Sequence, residues 1–289
     1  MEAAPQQKLV YLVFVSIFLV AFALFIFSEM RHPAAPKAII VTSPFVYSFN
    51  VDGILNEAGS MQDSSSPYWW LNSGGQLLIQ NGIGATMQGD APIYNQWRLL
   101  YTVSNPIDTD GGLHPQNLFR LITRSQWNTM REEVTFRVTK DNFSQSSNRN
   151  SSNGVLLFSR YFIDGQTLYY AGVRVDGTAV IKKKIKGVYY TLAEKQIFAG
   201  TYRDSRDAVN LIPHGEWISL REETVTLSDG TVTIRLFMKS QNDALWSLIA
   251  QAQDTGQFEH TPPIISPGYA GIRTDFMDVQ FQSFILEIL

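Results

Sequence analysis

Hydrophobic and polar positions follow two regimes along this chain. From Leu9 to Phe27 the run LVYLVFVSIFLVAFALFIF is apolar throughout, with Ser16 its one polar interruption. About 19 residues at about 1.5 Å rise come close to the ~30 Å thickness of a bilayer's hydrocarbon core. A helix apolar on every side must be enclosed on every side, so the run reads as a membrane-spanning tether. Lys8 marks one end of it; Glu29, Arg31 and His32 mark the other. Beyond Pro44 no stretch carries a helical period. Alternating runs bounded by turn residues recur instead, the pattern of antiparallel strands with one buried face.

Glu133–Lys140 sets Val134, Phe136 and Val138 against Thr135, Arg137 and Thr139. Leu168–Val175, Val180–Ile185 and Val188–Leu192 follow, the first two joined by Asp176-Gly177. Trp217–Leu227 and Thr231–Lys239 are joined by Ser228-Asp229-Gly230, a strong hairpin signal. Ala270–Phe276 and Val279–Leu289 close the chain. The Ser/Asn run Asp141–Asn153 reads as an exposed loop, with N-x-S sequons at Asn142 and Asn150. No fixed-period repeat appears, which argues against a propeller or solenoid. Many strands without helical partners predict an all-β, two-sheet antiparallel sandwich over residues 44–289.

Residues 29–43 read as a short stalk, stiffened by Pro33 and Pro36 within it and Pro44 at its end. A signal-peptidase site needs small residues at the two positions just upstream of the cut that matter most. Cuts near Ala34, Ala35 or Ala38 place His32, Pro33 or Pro36 at the outer one, so residues 1–28 read as a retained signal-anchor. The flanking charges, Lys8 against Arg31 and Lys37, do not set the orientation.

Composition narrows the function classes. A net charge of −3 is the wrong balance for a nucleic-acid binder. With no cysteine in the chain, disulfides, thiolate metal sites, cysteine nucleophiles and a lipoprotein anchor are all excluded. An exported domain without cysteine suits a bacterial source. His32, His114, His214 and His260 are scattered without the spacing of a zinc site.

Two blocks carry a family resemblance. The first is Phe49–Gly89, FNVDGILNEAGSMQDSSSPYWWLNSGGQLLIQNGIGATMQG; the second is Gly268–Ile288, GYAGIRTDFMDVQFQSFILEI. Together with the strands between them they resemble the concanavalin A-like lectin/glucanase superfamily, which includes laminin-G-like domains and jelly-roll polysaccharide-active enzymes. The resemblance is at the level of fold. It implies a jelly-roll sandwich outside the cell, with first and last strands paired. It also implies a structural calcium, for which Asp52 and Asp278 occupy the matching places and Glu57 offers a third ligand. The competing view makes Asp52-Gly53 a plain turn and Asp278 a strand-start residue.

The glucanase branch carries E-x-D-x-x-E on one strand, and nothing here matches it. Glu132-Glu133 and Glu222-Glu223 are adjacent pairs, whose side chains point to opposite faces. For the lyase branch, Tyr170 and Arg174 share a strand face, with Lys182 and Lys184 on the next strand and His214 in a nearby loop. The family's specific lyase strings are missing, so Tyr170, Arg174 and His214 are a catalytic set only if the chain is an enzyme.

Among the aromatics, one of Trp69/Trp70 and one of Tyr189/Tyr190 should face outward, since neighbours on a strand alternate. The expected function is thus a membrane-anchored, extracytoplasmic carbohydrate-recognition domain, leaning away from catalysis. Its ligand would lie across the concave sheet against Trp69, Trp70, Tyr170, Arg174, Lys182, Lys184 and Tyr190. The alternatives are a polysaccharide lyase or glycoside hydrolase, and a laminin-G-like module binding protein.

Overall fold

The computed structural model describes residues 35–39, 41–203, 208–258 and 261–289. Within them a compact unit runs from Lys37 to Leu289. In chain order its strands are β1 (Phe45–Tyr47), β2 (Gly53–Asn56), β3 (Trp69–Ser73), β4 (Gln76–Gln80) and β5 (Ile83–Thr86). A helix α1 (Gln96–Ser104) and a 3-10 turn (Pro115–Asn117) precede β6 (Leu118–Trp127), β7 (Met130–Asp141), β8 (Gly154–Tyr161) and β9 (Leu168–Arg174). Then come β10 (Thr178–Ile185), β11 (Val188–Gln196), β12 (Ile218–Thr226) and β13 (Val232–Ser240), followed by β14 (Ser247–Asp254), β15 (Gly268–Asp275) and β16 (Met277–Ile288).

Among the described residues these strands form two antiparallel sheets. The first is nine-stranded, ordered β14-β13-β12-β7-β16-β5-β4-β2, with β1 also pairing β16. The second is seven-stranded, ordered β11-β10-β9-β8-β15-β6-β3. The expected pairing of first and last strands is present, with Phe45 opposite Leu286. Alternation drives the stacking: Val134, Phe136 and Val138 are fully buried against the second sheet's Tyr169, Ala171 and Val173 in one continuous core. The predicted hairpin joins β12 to β13, where Gly230 takes φ +85 and Thr231 N–H donates to Asp229 at 2.9 Å. The glycine pair after β3 is required sterically as well as by its positive φ, because a Cβ on Gly74 would lie 2.8 Å from Phe119 Cα.

Three expectations change. The body does contain a helix. Asn95 caps α1, accepting from Trp97 N and Arg98 N at 2.8 and 3.3 Å. The helical stripe is hard to see because Leu99, Leu100 and Val103 point to solvent while Tyr101 is buried. The loop after β7 is not simply exposed either. Asn142, Ser144, Ser146 and Asn153 are buried, which is tolerable because each finds a partner: Ser144 Oγ donates to Asp110 at 2.6 Å, and Asn153 Oδ1 accepts from Asn150 N at 2.8 Å. Finally, the residues just before Pro44 already touch the sandwich, since Ile39 N donates to Pro67 O and Val41 packs on the core. The run Leu9–Phe27 lies outside the described residues, among which no helix is long and apolar enough to cross a membrane.

Candidate functional site

The second sheet has a structured outer face. Residues of β8, β9 and β10 that point away from the first sheet still pack together, as Leu156, Phe158, Leu168, Tyr170 and Val180 join Trp70, Ile122 and Met61 in a separate cluster. Register sets the neighbours. Tyr170 lies opposite Phe158 on one side and Lys182 on the other, Lys184 lies opposite Tyr189, and Arg273 lies opposite Leu156. A bulge between Ile181 and Lys182 shifts β10 against β11. The result is a cleft of about 440 Å³, lined by Tyr170, Lys182, Tyr189, Arg273 and Asp275, with Asn148, Asn150, Ser152 and Asn153 supplied by the Ser/Asn loop.

The chemistry of this cleft is aromatic and cationic. Tyr189 is 45% exposed and meets Tyr170 edge-on, ring centres 5.9 Å apart. Lys184 Nζ sits 4.9 Å from the centre of the Tyr189 ring and donates to Gly165 O at 2.9 Å. Arg273 forks onto Asp275, with Nε 2.8 and 3.0 Å from its two oxygens. Burial pushes the Tyr170 phenol up. For Tyr189 burial pushes the same way, but Arg273 and Lys184 outweigh it and the phenol falls below its ordinary value. Lys182 is held below the usual lysine range by burial and then by Arg174.

The cleft gathers only part of the expected set. Tyr170 and Lys182 line it, and Lys184 reaches it through Tyr189. Arg174 shares the face, but its guanidinium is bound to Asp176, to Glu194 at 3.2 Å and to Ser151 O at 2.9 Å. His214 is elsewhere, bridged to Val138 of β7 and 3.4 Å from Asp141, so the catalytic set Tyr170, Arg174 and His214 does not assemble.

Trp69 is fully buried between the sheets, edge-on to Phe284 at 4.9 Å. Trp70 takes the outer face as alternation requires, yet it is covered, and its Nε1 donates to Ala58 O at 2.8 Å. Tyr190 packs on Phe258, ring centres 5.1 Å apart, leaving Tyr189 as the outward member of that pair. Sequence reasoning missed Arg273 and Asp275. The signal was available, since residues two apart in a strand share a face, but nothing local said which strand lay next to them.

The acids expected to hold calcium do not converge. Asp52 accepts from Asn81 N at 2.9 Å. Glu57 accepts from Gly75 N and Tyr101 Oη at 2.8 and 2.7 Å. Asp278 is buried and accepts from Gly89 N, Gln116 and Asn142 at 2.6–2.9 Å. Each carboxylate is thus taken by amide or hydroxyl donors, and no group of three His, Asp or Glu suited to a metal occurs among the described residues.

A larger groove, about 730 Å³, lies beside β1 and β2, lined by Phe45, Tyr47, Ile54 and Tyr68. Asp52 is the one charged group in its lining, whereas the smaller cleft brings a guanidinium, an ammonium and asparagine amides beside an exposed ring, so the smaller cleft is the better candidate.

Strand order, register and cleft define the class: a two-sheet antiparallel β-sandwich with a polar, aromatic cleft on the outer face of its second sheet. No family model matches the chain, and no curated protein does. Solved structures are similar to it in fold. A carbohydrate-binding module, CBM66, from Bacillus subtilis matches 76% of this chain and 94% of its own at 14% identity and a TM-score of 0.40. A lichenase derived from a mouse hindgut metagenome matches 86% and 100% at 8% identity and a TM-score of 0.43. A β-glucanase from Bacillus licheniformis matches 86% and 99% at 11% identity and a TM-score of 0.44. Likenesses this distant carry no activity across, and the sandwich stands on its own strand pairings.

Proposed function

We propose that this chain is a carbohydrate-recognition domain, held at the cell membrane by Leu9–Phe27 with the sandwich on the extracytoplasmic side, and that it binds rather than cleaves. The observation that carries the reading is the cleft itself. An exposed phenol ring, Tyr189, stands beside side-chain amides of Asn148, Asn150 and Asn153 and the Arg273 guanidinium. A pyranose ring has an apolar C–H face that rests on an aromatic surface, and hydroxyls that need both donors and acceptors. Asparagine amides carry both kinds of partner in one group; the Asn148 and Asn150 nitrogens each donate once, to Asp108 and to Ser147 O, which leaves a second N–H on each and the Asn148 Oδ1 for a ligand.

Binding without cleavage is supported by the acids. Most glycosidases need two carboxylates flanking the scissile bond. Asp275 is the one acid lining the cleft among the described residues, and Arg273 holds both of its oxygens.

Affinity electrophoresis of the full-length chain through gels carrying soluble polysaccharides tests the reading. Retardation by at least one glycan is expected, released by free oligosaccharide, with no ultraviolet-absorbing unsaturated product. Mobility unchanged across neutral and acidic glycans would overturn it. The tether is tested separately, by whether the chain stays with membranes through a high-salt wash and is digested by protease added outside the cell.

A further inference from the structure

The cations of the second sheet's outer face are not equally placed. Arg174 is matched by Asp176 and Glu194, and Arg273 by Asp275. Lys184 spends its ammonium on Gly165 O and the Tyr189 ring. Lys182, half-buried in the cleft wall opposite Tyr170, makes no hydrogen bond and no ion pair within 4 Å among the described residues, and Glu194 and Asp176 act on it only from farther off. A partly desolvated ammonium without a partner is costly, and a buried charge is normally paired. Lys182 is therefore the cation lining the cleft that lacks a direct partner, and it sits beside the aromatic corner of Tyr170 and Tyr189.

We infer that the cleft takes its glycan through an acidic substituent, a uronic carboxylate or a sulfate ester, set on the Lys182 ammonium. The inference rests on the glycan-binding reading of this cleft. A neutral sugar hydroxyl can accept one hydrogen bond from Lys182 but leaves its charge unmatched. An anionic oxygen supplies both, in the shorter and stronger bond that charged partners make. The tyrosine corner then receives the ring that carries the acid. A small inorganic anion would satisfy Lys182 alone and leave the rest of the cleft unused.

The test compares polymers that differ only in charge, using the full-length chain. Polygalacturonate is set against its fully methyl-esterified form, and dextran sulfate against dextran, by affinity electrophoresis and calorimetry. At least about tenfold tighter binding of one acidic member over its neutral twin is expected, and which pair shows it separates carboxylate from sulfate. Lys182→Met should abolish that preference, Lys182→Arg should keep it, and Lys195→Met, at an exposed position on β11, should leave it unchanged.

Equal binding of acidic and neutral twins overturns the inference while leaving glycan recognition standing. A preference that survives Lys182→Met overturns it too, by moving the selectivity elsewhere. Failure to bind any of the polymers overturns the glycan reading, and the inference falls with it. Retention of the wild-type melting temperature in Lys182→Met separates lost selectivity from lost fold.

Discussion

Glu132 and Glu222 stand directly opposite one another on β7 and β12, both fully buried in the sandwich interior. Ser159 and Thr224 donate to Glu222 Oε1, the latter at 2.7 Å. Burial, and then the neighbouring Glu222, push the Glu132 carboxyl well up; burial pushes Glu222 up to about 7, against the pull of its hydroxyl donors, Glu132 and Arg160. Keeping one of the two carboxyls protonated spares the interior two negative charges.

The sign of the pH dependence follows. A carboxyl whose folded pKa is raised binds more protons folded than unfolded, so its contribution is present below the ordinary glutamate range and lost as pH rises through the folded value. Stability should fall by roughly 3 kcal/mol from about pH 5 to about pH 8. Urea unfolding across that range checks it, and Glu222→Gln should flatten the slope. A wild-type slope of zero would refute the raised carboxyls.

Lys183 and Asp254 form a second buried pair, Nζ to carboxylate at 2.8 Å with both side chains fully enclosed. Tyr169 Oη donates to Asp254, and Lys183 also donates to Thr261 O at 2.6 Å, so the pair ties β9, β10 and the end of β14 to the segment after it. Removing one partner leaves the other charge buried alone. Lys183→Met should cost about 3–5 kcal/mol in chemical denaturation, and Asp254→Leu added to it should recover part of the loss.

Tyr189 and Tyr190 should separate binding from packing. Tyr189 offers an exposed ring in the cleft, while Tyr190 packs on Phe258. Tyr189→Ala should weaken glycan binding by about tenfold, or about 1.4 kcal/mol, with the melting temperature kept. Tyr190→Ala should lower the melting temperature and leave affinity within error. The opposite pattern would place the ligand elsewhere.

The two sequons should behave differently in a glycosylating host. Asn142 is 1% exposed and its amide donates to Asp278 at 2.8 Å, whereas the Asn150 amide donates to Ser147 O in an exposed stretch. Peptide mapping should find glycan at Asn150 and none at Asn142; modification of folded protein at Asn142 would show that the buried loop opens.

Much of the strand pattern was legible because its signal is local. Val134, Phe136 and Val138 alternate within one strand, and the Asp229-Gly230 turn lies between the strands it joins. Helix α1 was not legible, because its apolar residues Leu99, Leu100 and Val103 lie outside and break the amphipathic pattern by which helices are found. Trp70 shows a related limit. Alternation correctly sends it outward from Trp69, but whether an outward ring is open or covered depends on Met61 and Ala58, which reach it from another segment.

By itself, then, the sequence determined that the body is built of antiparallel strands with one face inward, since a period of two needs only neighbouring residues. The tertiary structure alone decided which outward residues meet. Tyr170, Lys182, Tyr189, Arg273 and the Ser/Asn loop come from separate segments, and the strand order that brings β15 beside β8 is a nonlocal choice. The same choice withdrew Arg174 into a salt bridge and left Lys182 without one. The physical reason is that pleat direction is a property of each strand, whereas charge pairing and cleft shape depend on what the register places across from it.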